Sequence, residues 1–183
     1  MPPRDDSSEA ERDVAGLRGG RGPGVQARRT LGVVTALREG TTWLMAEVEQ
    51  TNPKTGMTFT EVKEFVRNHW EEFINRKNLD IADVNFAPEY EEHGADAPPG
   101  MPDGPAGAKE YVRGLHTRFP DVQVDVLDLI AEDDRVVARN RWTGTESTSG
   151  VRHEWSGIVI WRIAHRQFVE RWAYVQAPQP VDQ

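Results

Sequence analysis

The sequence contains no cysteine, which excludes disulfides, thiolate-bound metals and a cysteine nucleophile together. It has no apolar run near the roughly 18 residues that suggest a membrane span. Its first residues, MPPRDDSSEAERD, carry acids where a secretory leader has an apolar core, and those acids also argue against a mitochondrial presequence. Basic residues are the minority, 22 against 30 acids for a formal charge of −8, so no general positive surface serves nucleic acid or an anionic membrane. The 5 histidines show no HxH, HxxxH or HExxH spacing, which leaves a zinc site unsupported. GxGxxG, Walker and GxSxG motifs are absent too, so nucleotide binding and serine-hydrolase chemistry lack support. The expectation is a soluble, cytoplasmic protein.

What is present is length enough, at 183 residues, for one domain with a core and a tail. Residues 1–30, with RGGRGPG at 18–24, bury too little apolar surface to offset their ordering entropy and read as disordered. Residues 31–50 read as a helix interrupted by Gly40, and TNPKTG at 51–56 as a linker. Met57 stands where a domain could start by itself. Thr58 and Glu61 then form a capping box ahead of an amphipathic helix through Val62, Phe65, Val66, Phe73 and Ile74, ending near Lys77. His69 and Trp70 fall inside that helix. A short helix and an extended segment follow, then a Pro/Gly/Asp-rich loop over roughly 93–107 and a helical stripe from Ala108 to Phe119, stopped by Pro120.

After Pro120 the period changes from helical to two. Runs at 122–126, 135–145, 151–163 and 167–175 read as strands, with Asp133-Asp134 as a hairpin turn. Helices followed by an antiparallel meander imply an α+β fold with helices on one face of a curved sheet. The domain spans 58–177, with a tail at 178–183.

The last run, FVERWAYVQ, sets the main question. Strict alternation puts Phe168, Glu170, Trp172, Tyr174 and Gln176 on one face. A carboxylate among aromatics is a general base with a raised pKa or the partner of an arginine on a neighbouring strand, Arg139, Arg141 or Arg162. The other face (Val169, Ala173, Val175) is apolar as well, which predicts a homodimer covering it.

Several words of the sequence are specific in combination: EEHGADAPPG (91–100), GAKEYVRGLHTRFPDVQVDVLDLIAEDDRVVARNRWTGT (107–145), SGVRHEWSGIVIWRI (149–163) and VERW (169–172). Over roughly 58–177 the chain resembles the SnoaL-like polyketide cyclases of secondary metabolism and their ester-cyclase relatives, in the nuclear-transport-factor-two-like superfamily. That resemblance implies a cone-shaped, cystatin-like α+β fold enclosing a deep, mostly apolar pocket. It further implies acid–base chemistry on cyclic or pre-cyclic carbonyl compounds without metal or organic cofactor. His93 sits at the family's histidine position, with Asp96 placed to orient it. His93 and Glu170 are the candidate catalytic residues. Tyr90, Asp96, Arg139, Arg141, Trp142, Phe168, Trp172, Tyr174 and Gln176 are the candidate substrate contacts, with Tyr174 as an oxyanion donor. The chain departs from the family where its GTH reads Gly144-Thr145-Glu146 and where its final-strand Asp is replaced in the stretch ending at Gln176.

Three functions follow. The first is cyclisation, isomerisation or hydration of a small apolar, polyketide-like carbonyl compound. The second is a non-catalytic pocket for a hydrophobic metabolite. The third is an epoxide-hydrolase-like activity, which needs an Asp-Arg-Asp constellation for which the strands show no evident second acid.

Overall fold

Thr58 caps the first helix as its sequence predicts: its hydroxyl accepts from the Glu61 amide, and the Glu61 carboxylate accepts from the Thr58 amide. The computed structural model describes residues 35–39, 42–46 and 49–181. The expected disordered segment at 1–30 lies outside them.

The helix expected over 31–50 is corrected. β1 (Thr35–Glu39) and β2 (Thr42–Ala46) pair antiparallel as a hairpin; their threonines and Trp43 suit a strand better than a helix. α1 (Phe59–Trp70) runs into a π-helical turn (Glu71–Asn75), which closes where Lys77 takes a left-handed φ of 58°. A 3₁₀ turn (Leu79–Ile81) and α2 (Ala82–Asn85) lead into β3 (Phe86–Glu92). α3 (Gly104–Arg118) follows the Pro/Gly loop and ends ahead of Pro120. The meander then runs through β4 (Gln123–Glu132), β5 (Arg135–Thr145), β6 (Arg152–Ala164) and β7 (Gln167–Val175), with β8 (Gln179–Pro180) beside β6.

The sheet order is β3-β7-β6-β5-β4, antiparallel except for the parallel β3–β7 pair. Bulges bend it, and its edge strands β3 and β4 do not pair, so it is curved and unclosed. Its concave face carries Val124, Val136, Ala138, Trp142, Trp155, Val159, Trp161 and Ile163, which share one core with Val62, Val66 and Trp70 of α1 and Ala108 and Val112 of α3. The fold class is therefore α+β with helices on one face of a curved sheet. No helix among the described residues is long and apolar enough to cross a membrane.

One bulge reorders the last strand. Ile163 pairs with Phe168 but Arg162 pairs with Glu170, so Val169 is an extra residue. Phe168 and Val169 are both buried, and from there the face assignment is reversed. Arg171 and Ala173 point into the core, whereas Glu170, Trp172 and Tyr174 lie on the convex face. Phe168 therefore leaves the expected row, and Glu170 shares the convex face, not a pocket, with Trp172 and Tyr174.

Candidate functional site

The reversed register brings Arg171 inside, and a buried guanidinium needs partners. It finds two. Arg171 is 2.9 Å from Glu92 and 2.9 Å from Asp96, with side-chain exposures of 9%, 7% and 17% for the three. Each carboxylate has a second donor: the Tyr90 hydroxyl donates to Glu92 at 2.7 Å and the Tyr111 hydroxyl to Asp96 at 2.6 Å. The Gly94 amide adds a bond to Glu92 at 2.7 Å. The guanidinium also lies 5.4 Å from the centre of the Tyr111 ring.

Local structure explains how these groups meet. β3 delivers Tyr90 and Glu92, and the His93 amide donates to the Arg171 carbonyl at 2.8 Å, fastening the following loop to β7. Gly94 permits the turn, since a Cβ there would lie 2.4 Å from Asp96 Oδ1 and 2.9 Å from an Arg171 nitrogen. Tyr111 comes from the middle of α3.

The network stands between two chambers. An inner chamber of about 30 Å³ is walled by His69, Trp70, Phe73, Phe86, Tyr90, Glu92, Ala108, Trp142, Trp161 and Arg171. A vestibule of about 450 Å³ is walled by Asp96, Pro98, Leu115, Arg118, Phe119, Trp155, Val175 and Gln176. Tyr111 belongs to both walls. The vestibule is large enough for a small organic molecule, while the inner chamber takes a group about the size of one water.

Electrostatics follow from burial and from Arg171. Burial pushes the Asp96 carboxyl up, but the Arg171 charge and the hydrogen bonds from Arg171 and Tyr111 outweigh it and hold the carboxyl below its ordinary range. Burial raises both the Tyr90 and Tyr111 phenols. His69 is fully buried, and desolvation, aided by the Arg171 charge, lowers it to about 3. Its Nδ1 lies 3.1 Å from the Asn85 amide nitrogen.

Of the residues singled out in the sequence, Tyr90, Asp96, Trp142 and Gln176 stand on the chamber walls. Phe168 is wholly buried against Phe65, His69, Phe86 and Trp161, behind the chambers. The others lie on the convex face. Glu170 pairs with Arg162 at 2.6 Å, the ion pair that had been its alternative reading, and is held below its ordinary pKa chiefly by that bond. His93 stacks on Trp172 at 5.1 Å with its ring nitrogen 3.6 Å from Glu91, so the pairing of His93 with Asp96 is replaced by Asp96 with Arg171. Arg139 and Arg141 pair with Asp128 and Asp125, and Tyr174 is 71% exposed.

Sequence reasoning missed Glu92, Tyr111, His69 and Arg171. Glu92 and Asp96 flank Gly94 in the EEHGAD word, which is the available signal for an acidic pair on a tight turn. Arg171 carried no signal, because the bulge that turns it inward depends on pairing with β6.

A family model for "SnoaL-like polyketide cyclase" matches residues 64–183. The chain belongs to the SnoaL-like polyketide cyclase family. Solved structures share the fold. TsrD from Streptomyces laurentii is 21% identical, with a TM-score of 0.59 over 66% of this chain and 91% of that one. A candidate polyketide cyclase from Acidithiobacillus ferrooxidans is 27% identical, with a TM-score of 0.56 over 66% and 92%. A SnoaL-like polyketide cyclase from Agrobacterium tumefaciens is 15% identical, with a TM-score of 0.56 over 63% and 91%. Among curated proteins none matches. Gln176, at the end of the stretch that departs from the resembled pattern, stands on the vestibule wall.

Proposed function

We propose that this SnoaL-like protein binds a small apolar carbonyl compound in the vestibule and catalyses cofactor-independent acid–base chemistry on it. One observation carries the reading: Asp96 and Tyr111, hydrogen-bonded to each other, stand on the wall of an apolar chamber with a buried cation behind them. Asp96 takes the proton from the carbon next to the carbonyl, and the C–H electron pair moves onto the carbonyl oxygen as an enolate. The enolate carbon attacks a second carbonyl of the same molecule, forming a C–C bond. The resulting alkoxide recovers the proton from Asp96. A carboxylate held below its ordinary pKa is a weak base, so the substrate carbon must itself be acidic, as between two carbonyls.

Asp96→Asn keeps the shape and removes the base. Deuterium exchange at the activated carbon of 2-methyl-1,3-cyclohexanedione, followed by proton NMR, is expected to slow by about 10²–10⁴-fold. Exchange at the parent rate would reject Asp96. No catalysis by the parent protein, with the dione still bound, would favour a binding role, the reading that the missing final-strand Asp and Glu146 support.

A second enzymatic reading has its own observation. Glu92–Arg171–Asp96 is an acid–arginine–acid constellation, the arrangement that epoxide hydration requires and that the strands alone did not reveal. One acid, protonated, would give its proton to the epoxide oxygen while the other takes one from the attacking water. Turnover of cyclohexene oxide in ¹⁸O-water, yielding singly labelled diol, separates this reaction from carbonyl chemistry.

A homodimer is proposed through a face other than the one expected. Ala173 and Val169 are covered by the protein's own core, whereas the convex face exposes Tyr174 (71%), Ile130 (66%) and Ile158 (45%). Arg139–Asp128 and Arg162–Glu170 pairs surround these side chains. An apolar centre with a balanced charged rim suits a second copy of the same surface. Sedimentation equilibrium is expected to show a dimer, converted to monomer by Tyr174→Glu with Ile158→Lys; a parent monomer at 100 μM or so (about the range of weak self-association) would refute it.

A further inference from the structure

We propose that the ring N–H groups of His69 and Trp161 form an oxyanion pocket in the inner chamber, donating to the ligand's carbonyl oxygen as it becomes an enolate. The inference rests on the carbonyl reading above and adds the groups that hold the oxygen. It begins with Asn85. An amide nitrogen has only hydrogens to offer, so the bond between Asn85 Nδ2 and His69 Nδ1 at 3.1 Å makes Nδ1 the acceptor. The proton of the neutral ring then sits on Nε2, which makes no hydrogen bond to the described residues. Trp161 Nε1 is likewise buried without a partner among them.

A buried N–H donor without a partner, as at Trp161 Nε1, is uncommon, and His69 is its neighbour. The rings lie 6.2 Å apart, perpendicular, and both wall the inner chamber. His69 is 1% and Trp161 2% exposed. Other donors of that wall have partners: Tyr90 and Tyr111 donate to Glu92 and Asp96, Trp142 donates to Asn140, and Arg171 pairs with both carboxylates through Nη1 and Nη2. A chamber of about 30 Å³ accepts one oxygen or a group of that size. The ligand's ring system therefore stays in the vestibule and its carbonyl points inward past Tyr111. Burial and the Arg171 charge lower His69 to about 3, and a neutral imidazole donates to an enolate without handing over its proton.

The probe is 2-naphthol, whose aromatic body fits the vestibule and whose oxygen mimics an enol. Calorimetry reports whether it binds; ¹⁵N–¹H NMR of the full chain, with the Trp161 signal assigned by Trp161→Phe, reports the donors. Both the His69 Nε2–H and Trp161 Nε1–H protons are expected to move downfield on saturation. His69→Phe should weaken binding roughly ten-fold and His69→Gln, which keeps a donor, by much less. If 2-naphthol binds but either signal stays in place, or the free protein carries its His69 proton on Nδ1, the oxyanion pocket is wrong and the vestibule reading stands. If 2-naphthol does not bind, both fall. The NMR readout needs no His69 variant, so a variant that fails to fold leaves the test intact.

Discussion

Arg171→Met is expected to lower the free energy of unfolding by about 3–5 kcal/mol, because it strands two buried carboxylates. Glu92 and Asp96 are 7% and 17% exposed at their side chains and share the one guanidinium at 2.9 Å each. Without it they repel one another, and the tyrosine hydroxyls that remain cannot supply the missing charge. The control lies one residue away. Glu170→Gln breaks an ion pair with Arg162 whose side chains are 23% and 32% exposed, and a solvated pair of this kind contributes about 0–1 kcal/mol. Urea denaturation of the two variants measures the contrast directly. A larger loss for Glu170→Gln than for Arg171→Met would mean that the reversed register of β7 is wrong.

The second large effect is a loss of stability in acid that passes through one histidine. His69 has an ordinary value of 6.5 and is lowered to about 3 in the folded protein by burial and by the Arg171 charge. Between those values the unfolded chain binds a proton that the folded protein refuses. Stability therefore falls as pH drops from about 6.5 toward 3, by roughly 5 kcal/mol in full. Asp96 acts lower down: its folded pKa is depressed, so its contribution is present above its ordinary value of 3.8 and disappears as pH falls through the folded one. Denaturant midpoints for the parent and for His69→Leu, taken across pH 7 to 4, test this, since the variant lacks the group. Its profile should be much flatter there; parallel profiles would remove His69 as the source.

Some of the fold was legible in local rules. The Thr58–Glu61 capping box starts α1, and Pro120 follows the end of α3. The change to period two predicted the meander of β4 to β7. Those signals are local because a cap, a proline or an alternation acts within a few residues. The 35–46 hairpin escaped the same rules, since its apolar residues do not alternate and its strands are fixed by pairing with each other.

The site was less legible. Asp96 of the EEHGAD word, Trp142 of the family words, and Tyr90 and Gln176 outside them stand on the chamber walls. The last strand misled, because alternation assumes an unbroken ladder. Val169 is one residue too many against β6, and a single extra residue exchanges inside for outside along the rest of β7. It sent Glu170, Trp172 and Tyr174 outward and brought Arg171 to Glu92 and Asp96. By itself the sequence determined the α+β order of elements, the family and the absence of thiol chemistry, all carried by composition and short-range pattern. Only the tertiary structure decided which charge is buried, because a bulge is a property of two strands pairing and neither strand encodes it alone.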